Sequence, residues 1–174
     1  RYLSADLHPF QLAFFRAFFG FLVLTPFFIR QGLAPLRTKR LGMHGFRAIL
    51  HSTSVIFFFY GLTMTPLAKA ISIQFSAPLF ASVLAIFLLG ESLRFGRIAA
   101  LSVGFIGTLV VLRPGIVAIE QGTIALLVAA AMWGSAIIVI KSLARTETST
   151  TMTIYSTLLM SPITLIFAIP VWQH

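Results

Sequence analysis

Apolar residues run along this chain in six long blocks, at residues 9–29, 46–65, 67–89, 98–112, 122–140 and 150–171. A helix needs about 20 mostly apolar residues to cross the hydrocarbon core of a bilayer. Each block therefore predicts a membrane-crossing helix, although the fourth is short and the sixth is rich in Ser and Thr. The segments between them carry turn and loop chemistry: Gly32-Leu-Ala-Pro35, Thr65-Pro66, Gly90-Glu91-Ser92, Arg113-Pro114-Gly115 and Arg145-Thr-Glu-Thr-Ser149. The third block differs from the rest. Pro66 opens it, Pro78 lies inside it and Gly90-Glu91 closes it, a pattern that predicts a helix bent or locally opened within the membrane.

Composition agrees with a membrane reading. Hydrophobic residues fill 58% of 174 positions and charged residues only 10%, too few to cover a globular surface. Mean hydropathy is +0.97. The formal charge of +9 would suggest nucleic acid in a soluble protein. Here the cations occupy short segments between apolar blocks rather than one face, so the expected environment is a lipid bilayer and not a nucleic acid. Cysteine is absent, which removes disulfides, thiolate nucleophiles and Cys-ligated metals from these residues.

Consecutive connections lie on opposite sides of the membrane, so the cations can be sorted by side. Arg30, Arg37, Lys39, Arg40, Arg47, Arg94, Arg97, Lys141 and Arg145 fall on one side, and Arg1, Lys69 and Arg113 on the other. The positive-inside rule assigns the first group to the cytoplasm and places both chain ends outside. An outside N-terminus with no signal peptide is hard to make, so a further span before Arg1 is expected and the chain reads as a fragment. An internal echo accompanies this topology. Residues 1–31 and 141–171 each show a cation, a short polar connection and an apolar span with a proline in its second half. The two cross in opposite directions, as in inverted-repeat transporters.

Three ionisable groups fall within or near the spans. Arg16 lies on the order of 10 Å inside the first, where it either anchors by snorkelling or serves a function. His51 is a packing residue or a proton carrier. Lys69 either reaches water near the outer turn or faces a solute. All four carboxylates, Asp6, Glu91, Glu120 and Glu147, sit in connections, and Glu91 is expected to pair with Arg94. The stripe Gly96, Ala100, Gly104 and Thr108, and the pair Ala130 and Gly134, predict close helix packing.

The chain resembles the EamA family of the drug/metabolite transporter superfamily. The matching pieces are Phe14-Phe-Arg16-Ala-Phe, His44-Gly-Phe-Arg47, Phe58-Phe-Tyr60-Gly-Leu, Thr65-Pro-Leu-Ala68 and Phe75-Ser-Ala-Pro78-Leu. Leu89-Gly-Glu91, Gly104-Phe-Ile-Gly107, Arg113-Pro-Gly115 and residues 122–141 with Trp133 follow in order. The resemblance implies an all-α polytopic helical bundle, part of a ten-span transporter built as two inverted five-span repeats. This chain then supplies spans two to seven as six transmembrane helices. Residues 1–115 would be the first repeat without its first span, and residues 116–174 the start of the second. It also implies cavity-lining roles for Tyr60, Lys69, Gln74, Ser76 and Trp133, with Arg16 near the outer end.

The expected protein is thus a multi-pass secondary transporter of the bacterial inner membrane, carrying a small metabolite by alternating access and using no cofactor. The Phe-x-x-Pro-Leu form of the third block resembles branches linked with S-adenosylmethionine or riboflavin. A non-transporting scaffold is the alternative. An intramembrane enzyme fits less well: His8, His44, His51 and His174 are scattered, no HExxH or Gly-x-Ser-x-Gly occurs, and no catalytic or metal-ligating set forms. Oligomeric state, coupling ion and direction of transport leave no signature here. Orientation has a direct test: a reporter fused within residues 32–40 should report cytoplasm, and a periplasmic signal there would overturn the charge count.

Overall fold

A computed structural model describes residues 9–31, 38–90, 95–112 and 120–169. Among them every regular element is a helix: α1 (Pro9–Gln31), α2 (Leu41–Met64), α3 (Leu67–Gln74), α4 (Ala77–Leu89), α5 (Phe95–Leu112), α6 (Gln121–Leu143) and α7 (Ser149–Ala168). Leu41–Met64, Leu67–Leu89, Gln121–Leu143 and Ser149–Ala168 are long and apolar enough to cross a membrane. In α1 and α5 the apolar stretches run over Phe14–Val23 and Ile98–Val110. The protein is an all-α polytopic membrane protein. Its outward-facing side chains fit that solvent: Phe87 and Phe95 keep 79% and 87% of their surface outside the fold, as lipid-facing rings do.

The ends of these helices follow from local sequence. Thr148 caps α7, its Oγ1 accepting from the Thr151 N–H at 3.2 Å, a standard way to satisfy an orphan amide. Gly90 ends α4 in the left-handed region at φ 63°, where a side chain would be strained, and its N–H returns to the last turn. The expected Glu91–Arg94 pair lies outside the described residues, as do the Arg113-Pro-Gly115 turn and the residues before Pro9.

The third block, expected as one span with its helix bent or locally opened, is one candidate span made of two helices. Pro78 has no N–H to offer the Gln74 carbonyl, so the α-helical ladder loses a bond there. The chain closes a tighter turn instead. The Ser76 N–H bonds the Ile73 carbonyl at 2.9 Å, the Ser76 hydroxyl donates to the same oxygen at 2.6 Å, and Ser76 O accepts from the Leu79 N–H at 2.9 Å. Pro78 then sits in the first turn of α4, where its missing N–H does least harm.

The contacts fall into two compact units. The first takes the described residues up to Ser52 and from Val139 onward. In it α1 packs along α7, with Gly20 against Thr157, and Val139, Leu143 and Met152 form a core with Met43 and Leu50. The second runs from Thr53 to Ile138. There Ala70, Ile73 and Leu126 pack with Phe58, Leu62 and Leu127, while Ala81, Ala85 and Ile138 pack with Leu84, Leu89 and Ile137. Both α3 and α4 lie against α5.

Glycine sets the closest approaches in this second unit. A Cβ on Gly134 would stand 2.7 Å from the Ala77 carbonyl and 2.8 Å from Phe80 Cβ. A Cβ on Gly122 would stand 2.5 Å from Thr65 Oγ1, and one on Gly61 would stand 2.6 Å from Leu126 Cγ. The Gly134 approach was expected from the Ala130 and Gly134 spacing. The stripe on α5 is different: nothing described lies within 4 Å of a Cβ at Gly96 or Gly104, and Ala100 is exposed. Only Thr108 is buried, and its hydroxyl turns back to the Gly104 carbonyl at 3.0 Å. Small residues permit a close approach, but only a neighbouring helix makes one. Gly134→Ala should therefore cost about 1–3 kcal/mol through overpacking against backbone. At about 2–4 °C per kcal/mol for a chain this size, the midpoint of the detergent-purified protein should fall by several degrees, while Gly104→Ala should leave it unchanged.

Candidate functional site

The turn between α3 and α4 holds two of the polar residues singled out above, Gln74 and Ser76. Gln74 ends α3, and its side-chain Oε1 is buried with no hydrogen-bond partner among the described residues. An unmade bond of that kind costs about 1–3 kcal/mol, so the carboxamide is the group here with most to gain from a ligand. Ser76 is also buried, but its hydroxyl is committed to the Ile73 carbonyl and so shapes the turn. Gly134 of α6 presses against the first residues of α4, which sets the neighbouring, half-buried Trp133 on the same helix. Tyr60 lies on α2 in this unit with its ring partly exposed.

Lys69 is held at the other end of α3. Its Nζ lies 3.9 Å from Glu120 Oε2, with the side chains 23% and 56% exposed. At that separation and exposure the pair contributes little, about 0–1 kcal/mol, but it shows where the ammonium points. The lysine reaches toward the connection before α6.

Two predicted residues fall in the other unit. Arg16 is exposed on α1. His51 is half-buried on α2, within electrostatic reach of Arg16 and Arg47. The predicted set is therefore split, with Tyr60, Lys69, Gln74, Ser76 and Trp133 in the second unit and Arg16 and His51 in the first.

Several buried polar groups escaped the sequence reading as site residues. Thr65 and Thr123 flank the Gly61–Gly122 crossing, and neither hydroxyl has a partner among the described residues. Ser54 donates to the Ala129 carbonyl at 2.8 Å, tying α2 to α6. In the first unit Arg47 Nη1 donates to the Met152 carbonyl at 2.8 Å, and the buried His44 ring stacks on Tyr155 at 4.6 Å. The His44-Gly-Phe-Arg47 spacing puts both residues near one face of α2, a signal the sequence did hold. Among the described residues no group of three His, Cys, Asp or Glu could hold a metal, and the carboxylates Glu120 and Glu147 both lie near helix ends. What the site can do is make and break hydrogen bonds and stack rings.

Comparison with known proteins adds a family. Residues 1–113 match the EamA-like transporter family. The S-adenosylmethionine uptake transporter of Rickettsia prowazekii (strain Madrid E) is 34% identical over 172 residues, covering 99% of this chain and 58% of that protein. The one from Rickettsia bellii (strain RML369-C) is 40% identical over 114 residues, 66% of this chain and 39% of that protein. The riboflavin transporter of Rhizobium johnstonii is 32% identical over 151 residues, 87% of this chain and 50% of that protein. The matched regions thus span 39%, 50% and 58% of the lengths of these relatives. No solved structure matches it. The family match and the relatives agree with the helices and the proline-broken span already described, and the chain belongs to the EamA-like transporter family.

Proposed function

We propose that this chain is part of a secondary transporter that moves a small amphipathic metabolite across the bacterial inner membrane, with the α3–α4 turn contacting the solute. The observation that carries this reading is the buried Oε1 of Gln74, which has no hydrogen-bond partner among the described residues, at a break inside a span. A broken helix at membrane depth is tolerated where it lines a cavity or is buried in protein, and transporter sites are commonly built from such helices. An inert scaffold has no use for a buried amide oxygen left without a partner.

The names of the relatives narrow the solute class. S-adenosylmethionine and riboflavin each carry a fused nitrogen heterocycle on a ribose-derived polyol. Gln74 has a donor and an acceptor to offer a heterocycle edge, and Tyr60 and Trp133 have rings to stack on its face. In this reading Lys69 anchors α3 through Glu120, Arg16 anchors α1, and alternating access comes from one inverted repeat rocking against the other. His51 is the one imidazole singled out as a proton carrier, should transport be proton-coupled. Residues 1–115 and 116–174 are the two repeat segments.

Uptake of labelled S-adenosylmethionine and of riboflavin by cells expressing the protein as its gene encodes it tests this directly. Gln74→Ala should cut flux by about tenfold, the equivalent of one lost buried hydrogen bond. Lys69→Ala should stay within about twofold, as loss of an exposed pair allows. Full flux in the Gln74 variant would sink the site, and no flux of either compound in the parent would sink the solute class.

A further inference from the structure

The most concentrated set of polar contacts in the first unit is not at the α3–α4 turn but where α2 begins. Thr38 Oγ1 donates to Glu147 Oε1 at 2.7 Å while accepting from the Arg40 N–H at 3.0 Å. Arg40 Nη1 reaches the Ser142 carbonyl at 3.5 Å, and Arg47 Nη1 donates to the Met152 carbonyl at 2.8 Å. Between these, His44 stacks on Tyr155 with ring centroids 4.6 Å apart. Apart from the local Arg40–Thr38 bond, each contact joins residues 38–47 to residues 142–155, segments about a hundred positions apart in the chain (109, 102 and 105 for the three side-chain bonds).

This junction is tied, yet it is incompletely satisfied. Arg47 Nε and both ring nitrogens of His44 are buried with no hydrogen-bond partner among the described residues. His44 keeps only 1% of its surface exposed. A permanent interface in lipid has every reason to pair its buried donors, because nothing else there will. An interface that opens to water leaves some of them for water in its other state. The unpartnered groups of His44 and Arg47, two residues that help hold the junction closed, would thus be hydrated on opening, which is how a two-state element keeps its states close in free energy.

We propose that Thr38–Glu147, Arg40–Ser142 and Arg47–Met152 form a latch that closes the basic, cytoplasmic face of the protein, and that opening this face to solvent requires breaking it. The proposal deepens the transport reading above and rests on it for its purpose, though not for its test. The charge count provides the side: Lys39, Arg40, Arg47, Lys141 and Arg145 all belong to the cation-rich face.

Cysteine accessibility reads the latch without any solute. The protein as its gene encodes it, freed of any native cysteine, is given a single reporter. One reporter is Ser52→Cys, buried and roughly 7 Å deeper along α2 than Arg47, and the other is Ser156→Cys, buried on α7. A charged, membrane-impermeant thiol reagent is added to the cytoplasmic face in inside-out vesicles. Arg47→Gln and Glu147→Gln should each raise the labelling rate at least fivefold at both reporters. Thr38→Val, which removes the bond to Glu147 and the local bond from the Arg40 N–H but leaves the Arg40–Ser142 and Arg47–Met152 contacts in place, should raise it by a smaller factor and stands in if the Arg47 variant does not accumulate. Rates equal to those of the unmutated latch at both reporters would overturn the proposal. Uptake of S-adenosylmethionine and riboflavin is read in the same vesicles. Faster labelling with no uptake in any variant leaves the latch standing and removes the transport reading; uptake with unchanged labelling does the reverse.

Discussion

A chain that crosses lipid must satisfy its own backbone, and the turn at Ser76 is where this protein meets that demand. Proline at position 78 removes one donor from the ladder, and over residues 67–89 the helix breaks there, whereas α1 and α7 run on through Pro26 and Pro162. The Ser76 amide and hydroxyl both return to the Ile73 carbonyl, and the Ser76 carbonyl takes up the first amides of α4. With the turn closed in this way, Gly134 is free to bring α6 against the backbone of Ala77 and Ala81. Any side chain at 134 would hold the two apart. The break and the glycine therefore depend on each other, and the buried end of Gln74 lies where they meet.

Much of this was legible in the sequence, for a plain reason. Hydrophobic length and proline position act locally, so the six blocks locate the helices, and Pro78 announces an interruption. The starts and stops moved by a few residues: α2 begins at Leu41 rather than near Phe46, because Thr38, Arg40 and His44 are anchored to a neighbouring segment that periodicity cannot see. The small-residue stripes show the limit more sharply. Gly134 and the α5 stripe look alike as sequence, yet only Gly134 meets a backbone. Whether a smooth face is used depends on what lies across from it.

Polar residues divide along the same line. The sequence left Lys69 open between anchoring and solute contact, and a carboxylate 51 positions away, Glu120, decides the direction of its ammonium. Ser76, to which the family resemblance gives a cavity-lining role, spends its hydroxyl on the turn. Conversely, Thr65, Thr123, Arg47 and His44 passed as motif residues and hold the buried groups with unmade bonds. Partners distant in sequence bear on these roles, and a single sequence carries no record of them.

Under the inverted-repeat reading proposed above, the echo between residues 1–31 and 141–171 bears on the packing of α1 on α7. Equivalent helices of inverted repeats cross the membrane in opposite directions, and a pseudo-twofold axis in the membrane plane brings such a pair together when it passes between them. A Cβ on Gly20 of α1 would stand 3.7 Å from Thr157 of α7, ordinary van der Waals contact, so the two faces pack side by side without needing a glycine there. The latch belongs to the same unit, beside this pair. In an inverted-repeat transporter that arrangement is economical: helices near the axis move least as the repeats rock, so polar contacts that make and break beside them need only small displacements to change which face is closed.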